Sequence, residues 1–170
     1  NTATINFANI AGEASVNNNL SIGEVVLNNL ASGTDADITG NGSLANGAST
    51  FNYVAAATSA DLDIIGGVTA GAVTVTGTGL KSLDVSSSGA ANTIGDLTID
   101  ATFTSFTIDA ASKLTTAQIH SNAATKLTIK GAGAVDINSN ALETTVVTVD
   151  GSTSTGDIDV TLGNVGDATD

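Results

Sequence analysis

Thr125-Lys126-Leu127-Thr128-Ile129-Lys130-Gly131-Ala132-Gly133-Ala134-Val135-Asp136-Ile137 carries the pattern that decides the fold. Leu127-Thr128-Ile129 and Val135-Asp136-Ile137 each read apolar, polar, apolar, and a Gly/Ala-rich link joins them. Alternation with period two marks a strand with one buried face. The small residues between the triplets supply the backbone freedom of a tight turn. Strands this short cannot hold a sandwich together. They suit a stack in which each pairs with its equivalent one coil away.

Working outward, the triplet recurs fifteen times between Ala3-Thr4-Ile5 and Ile158-Asp159-Val160, at a spacing of about 11 residues. Its middle residue is polar in fourteen of the fifteen, Val26 being the exception. Lys81-Ser82-Leu83-Asp84-Val85, Thr104-Ser105-Phe106-Thr107-Ile108, Thr125-Lys126-Leu127-Thr128-Ile129 and Thr145-Val146-Val147-Thr148-Val149 read alike, one at about every second triplet. An internal period of this length is the mark of a repeat architecture. The rhythm predicts an all-β fold, a parallel β-helix or solenoid of about seven coils, with two short strands in each coil of about 21 residues. With neighbouring coils about 4.8 Å apart, the rod would be on the order of 34 Å long. The longer gaps before Phe51 and Leu97 are expected to bulge from turns. An aliphatic β-sandwich is the alternative, because its strands also recur at a similar spacing. Residues 1–170 read as a single solenoid domain that opens and closes in mid-pattern, as part of a longer chain would.

Composition narrows the function classes. Hydrophobic residues make up 41% of the chain and aromatics only 3%, with no Met, Trp or Cys, so the interior is thin and aliphatic. Seventeen acidic residues against four lysines give a net charge of −13, which argues against nucleic acid as a partner. No stretch approaches the roughly 18 apolar residues of a membrane span. Secreted domains without cysteine need another means of holding together, and coil stacking provides one. The composition therefore fits an extracellular protein.

Catalytic machinery is hard to assemble from this inventory. His120 is the single histidine, Tyr53 the single tyrosine, and arginine is absent, so any triad would have to be built around His120. A structural histidine beside a strand end is the expected role, and the chain is not expected to be an enzyme. Outward threonines such as Thr74, Thr98, Thr107, Thr128 and Thr148 alternate with Asp, Asn, Gln and Val, which breaks the regular array an ice-binding face requires. Asn41-Gly42-Ser43 matches a glycosylation sequon, a short pattern that arises by chance.

The aspartates are more informative. With two triplets per coil, the outward residues of one sheet run Ser15, Asp37, Asp63, Asp84, Thr107, Thr128 and Thr148, which places three aspartates on consecutive coils. Asp136 and Asp159 fall on neighbouring coils in the same way. Carboxylates directly opposed across a ladder repel, unless a hard cation bridges them. Asp37, Asp63, Asp84, Asp136 and Asp159 are therefore candidate Ca²⁺ ligands.

The stretch from Thr125 to Ile137, together with Val147-Thr148-Val149-Asp150-Gly151-Ser152-Thr153-Ser154-Thr155-Gly156-Asp157-Ile158-Asp159-Val160, resembles the Thr/Ala/Gly/Asp-rich repeats of Gram-negative surface-layer (S-layer) proteins. Those are related to the RTX proteins exported by type I secretion. The resemblance covers most of residues 62–170. It implies a structural subunit on the bacterial cell surface that self-associates into a Ca²⁺-dependent lattice or filament, with surface polysaccharide as a further candidate partner. The stalk or passenger domain of an adhesin, binding host or glycan, is the alternative. The Gly-Gly-x-Gly-x-Asp nonapeptide of RTX repeats is absent, and Gly66-Gly67 and Gly166-Asp167 are only fragments of it.

Overall fold

A computed structural model describes residues 2–7, 12–16, 23–40, 45–137 and 139–163. Every regular element among them is a strand. In chain order the first ten are β1 (Thr2–Asn6), β2 (Glu13–Val16), β3 (Glu24–Leu30), β4 (Asp35–Thr39), β5 (Ala45–Asn46), β6 (Ser49–Tyr53), β7 (Ser59–Ile65), β8 (Thr69–Ala70), β9 (Val73–Thr76) and β10 (Ser82–Ser88). The rest are β11 (Asn92–Ile94), β12 (Leu97–Asp100), β13 (Ser105–Ala110), β14 (Leu114–Thr116), β15 (Ile119–Ser121), β16 (Lys126–Gly131), β17 (Val135–Ile137), β18 (Thr148–Ser154) and β19 (Ile158–Val160).

These strands form three sheets, and each sheet is one face of a parallel β-solenoid of about six turns. Face I orders β1-β3-β6-β9-β12-β15, face II orders β2-β4-β7-β10-β13-β16-β18, and face III orders β5-β8-β11-β14-β17-β19. Coil length varies modestly on face II, being shorter where Thr107 pairs with Thr128 than where Asp35 pairs with Asp61. The solenoid is as expected, but a coil carries three strands rather than two. The gaps before Phe51 and Leu97 hold β5 and β11, strands of face III rather than bulges. The sequon at Asn41 lies outside the described residues.

Alternation along each strand builds the core. β7 alternates half-buried and fully buried residues along its whole length, sending Ala60, Leu62 and Ile64 inward. Inward columns run from coil to coil: Ala36, Leu62, Val85, Ile108 and Ile129 on face II, and Leu27, Phe51, Val75 and Ile99 on face I. All of these are buried. Full burial of the Val, Leu, Ile and Phe side chains among them stabilises by about 1.5–3 kcal/mol each.

The corners are held by polar side chains that point inward. Gly66 and Gly67, with φ of 85° and 81°, turn the chain between faces II and III in a conformation suited to glycine. Asn92, one coil on and 1% exposed, accepts the Gly67 and Val68 N–H groups at 3.0 and 2.8 Å. Its amide nitrogen donates toward Ile64 O and Ser87 Oγ, both at 2.9 Å. Tyr53 donates to Thr34 O at 3.1 Å; burial, reinforced by the nearby Asp61 charge, pushes its phenol pKa up, so the hydroxyl stays protonated. Outside, face I carries an amide ladder in which Asn52 donates to Asn28 and Thr76 donates to Asn52, each at 2.6 Å.

Candidate functional site: the acidic ladders

Face II turns aspartates outward because inward positions in β4, β7 and β10 are filled mainly by aliphatic side chains and alternation sends the residues between them to solvent. Register then decides which carboxylates meet. Asp37 pairs with Asp63, as expected. Asp63 does not pair with Asp84: its partner is Ser86, which donates a short hydrogen bond to Asp63 Oδ1. Asp84 pairs with Asp61 and Thr107. The unbroken triad is Asp35, Asp61 and Asp84, flanked by the Asp37–Asp63 pair farther along the strands.

The triplet pattern misses Asp35 and Asp61, and the cause is a slip in register. By pattern, Leu62-Asp63-Ile64 matches Leu83-Asp84-Val85, whereas in the sheet Leu62 pairs with Val85 and Ile64 with Ser87. Ser87 is fully buried at an inward position, so the third core residue of β10 is disguised as polar. The repeated Asp-x-Asp of Asp35-Ala36-Asp37 and Asp61-Leu62-Asp63 carries the correct register. The same slip affects the last coil, where Thr128 pairs with Asp150 rather than Thr148.

The two halves of face II differ in charge balance. In the later coils Lys126 Nζ lies 2.9 Å from Asp150 Oδ2, and Lys130 Nζ lies 3.1 Å from Asp109 Oδ2. Hydrogen bonds from Lys126 and Ser152 hold the Asp150 carboxyl pKa down at about 2. Among the described residues, the lysine ion pairs do not reach Asp35, Asp61 or Asp84. Partial burial, followed by the charges of Asp84, Asp35 and Asp63, raises the Asp61 carboxyl pKa above the ordinary aspartate value.

A consequence is measurable. A carboxyl raised in the native state contributes most below its unfolded pKa, and that contribution is lost as pH rises through the native value. Asp61→Asn is therefore expected to stabilise the protein near neutral pH, by up to about 1 kcal/mol. The gain should fade toward pH 3. Denaturation midpoints of both proteins at the two pH values check this, and a gain that is equal at both would refute the repulsion.

On face III, Asp136 and Asp159 pair as expected. Asp136 Oδ2 lies 3.4 Å from Lys113 Nζ, and its Oδ1 is buried without a hydrogen-bond partner. Among the described residues, no three His, Cys, Asp or Glu side chains converge in a geometry that would hold a metal ion. The acidic residues form linear ladders instead of cages.

His120 lies outward on face I, within β15. Its Nδ1 is 2.8 Å from Glu143 Oε1 in the following coil, and its Nε2 is 3.7 Å from Asp96 Oδ2 in the preceding one. It ties three successive coils together. Among the described residues, no helix is long and apolar enough to cross a membrane. Compared with protein-family models, curated proteins and solved structures, the chain matches none of them.

Proposed function

We propose that this chain is a structural subunit of a secreted cell-surface assembly, an S-layer-like lattice or filament. The observation that carries the reading is the stack itself: three parallel sheets of six, seven and six strands around one aliphatic interior. Such a scaffold lends itself to extended surfaces built from repeated ladders. The acidic, cysteine-free composition supports an extracellular, bacterial-surface location, and the Thr/Gly/Asp-rich rhythm after residue 62 supports the S-layer resemblance.

Ca²⁺ enters the proposal as a counter-ion. Linear ladders of carboxylates offer a divalent ion oxygen ligands from adjacent coils and relief of like-charge repulsion. Asp35, Asp37, Asp61, Asp63 and Asp84 on face II are the first set, and Asp136 with Asp159 the second.

Electron microscopy of the purified protein, with millimolar Ca²⁺ or with excess chelator, tests the reading. Ordered sheets or filaments are expected with Ca²⁺, together with a higher melting temperature. A monomer that persists in both conditions and binds cells or glycans would replace this reading with that of an adhesin stalk. Identical melting temperatures would remove calcium from it.

A further inference from the structure

The sheet of face I ends at β15. The segment that would continue it one coil later, residues 139–147, contains no strand. It is strapped across β15 largely by side chains. Asn140 N–H donates to Ala117 O at 3.1 Å, Gln118 Nε2 donates to Ala141 O at 3.1 Å, and Thr145 Oγ1 donates to Ser121 O at 3.0 Å. The remaining tie to β15 is His120 Nδ1 to Glu143 Oε1 at 2.8 Å, and beyond β15 the strap is held by Leu142 N–H to Thr161 O at 2.8 Å and Val147 N–H to Thr125 O at 3.0 Å. Leu142 and Val146 of the strap are buried in the core. Of these ties only that of His120 to Glu143 joins ionisable side chains.

We propose that His120 is a pH-responsive latch for the strap 139–147. Two charged groups face the imidazole: Asp96 from the turn before β12 and Glu143 from the strap. The lysine ion pairs among the described residues are at Asp109, Asp136 and Asp150, away from this cluster. A neutral imidazole has one N–H and serves one neighbour as donor, whereas the imidazolium has two and attracts both carboxylates. Histidine changes charge within the mildly acidic to neutral range, where carboxylates stay ionised. The latch is therefore tight on the mildly acidic side, with cation and anions both present. On the alkaline side the ion pairs vanish, the neutral imidazole can donate to only one of the two carboxylates, and the strap relies mainly on its uncharged ties.

Backbone hydrogen–deuterium exchange at about pH 5.5 and about pH 8.5, corrected for intrinsic rates, tests this. Protection of the amides of 139–147, relative to β13 in the same molecule, is expected to be about fivefold higher at the acidic pH, as suits a partly exposed ion pair. His120→Gln, which keeps a neutral donor, is expected to abolish that difference while leaving β13 unchanged. Glu143→Gln leaves the histidine in place and should flatten the response as well. A wild-type protein without the difference, or either variant retaining it in full, overturns the proposal.

Discussion

Asn92→Ala is expected to lower global stability by about 3 kcal/mol or more, because each buried backbone group left without a partner costs about 1–3 kcal/mol. Two such groups, the N–H groups of Gly67 and Val68, take Asn92 Oδ1 as acceptor, and the carbonyl of Ile64 takes a further bond from the same amide. The side chain is buried, so water does not replace it freely. Its contacts tie the corner of one coil to that of the next. Asn92→Asp keeps the acceptor but loses the donor and buries a charge, so it should be destabilised as well. Urea denaturation reads both variants, and an unchanged midpoint for the alanine variant would show that the corner does not depend on this amide.

Phe51→Ala is expected to cost about 3–5 kcal/mol, the range for emptying a large aromatic site in a packed core. Phe51 is 0% exposed and stands in a column between Leu27 and Val75. With four Phe, one Tyr and no Trp or Met in the chain, its neighbours are short, stiff aliphatics that refill a cavity poorly. Phe51→Leu should cost less than about 1.5 kcal/mol, since most of the volume is kept. Equal losses in the two variants, measured by the same denaturation, would mean that ring volume is not what the site requires.

The same two residues explain how much of the fold is legible in the sequence. Phe51 announces its strand, because Phe51-Asn52-Tyr53 alternates as an inward-outward-inward triplet must. Asn92 conceals one. β11 places Asn92 and Ile94 inward, β14 places Leu114 and Thr116 inward, and in each an apolar position is taken by a polar side chain that bonds to the backbone. A search for apolar-polar-apolar triplets passes over such strands, so most of face III escapes it and two strands per coil is the count it returns. On the acidic face, buried Ser87 shifts the apparent register, separating Asp84 from its true partner Asp61. Side-chain chemistry at corners, invisible to hydrophobic periodicity, accounts for both departures. The latch at His120 is beyond the reach of periodicity for a different reason, since Asp96 and Glu143 approach it from the coils before and after.

The one-way winding of the three faces also sets how the molecule yields to tension. Every sheet pairs a strand with the next in chain order on that face, and all pairs are parallel. A pull on a chain terminus enters the stack where the chain joins the outermost coil, so the hydrogen bonds there are strained first and open one after another as a zipper does. Each coil surrendered shortens the stack by about 4.8 Å and releases roughly 80 Å of chain. The rod behaves as a spool, giving way in small steps with a large extension at each.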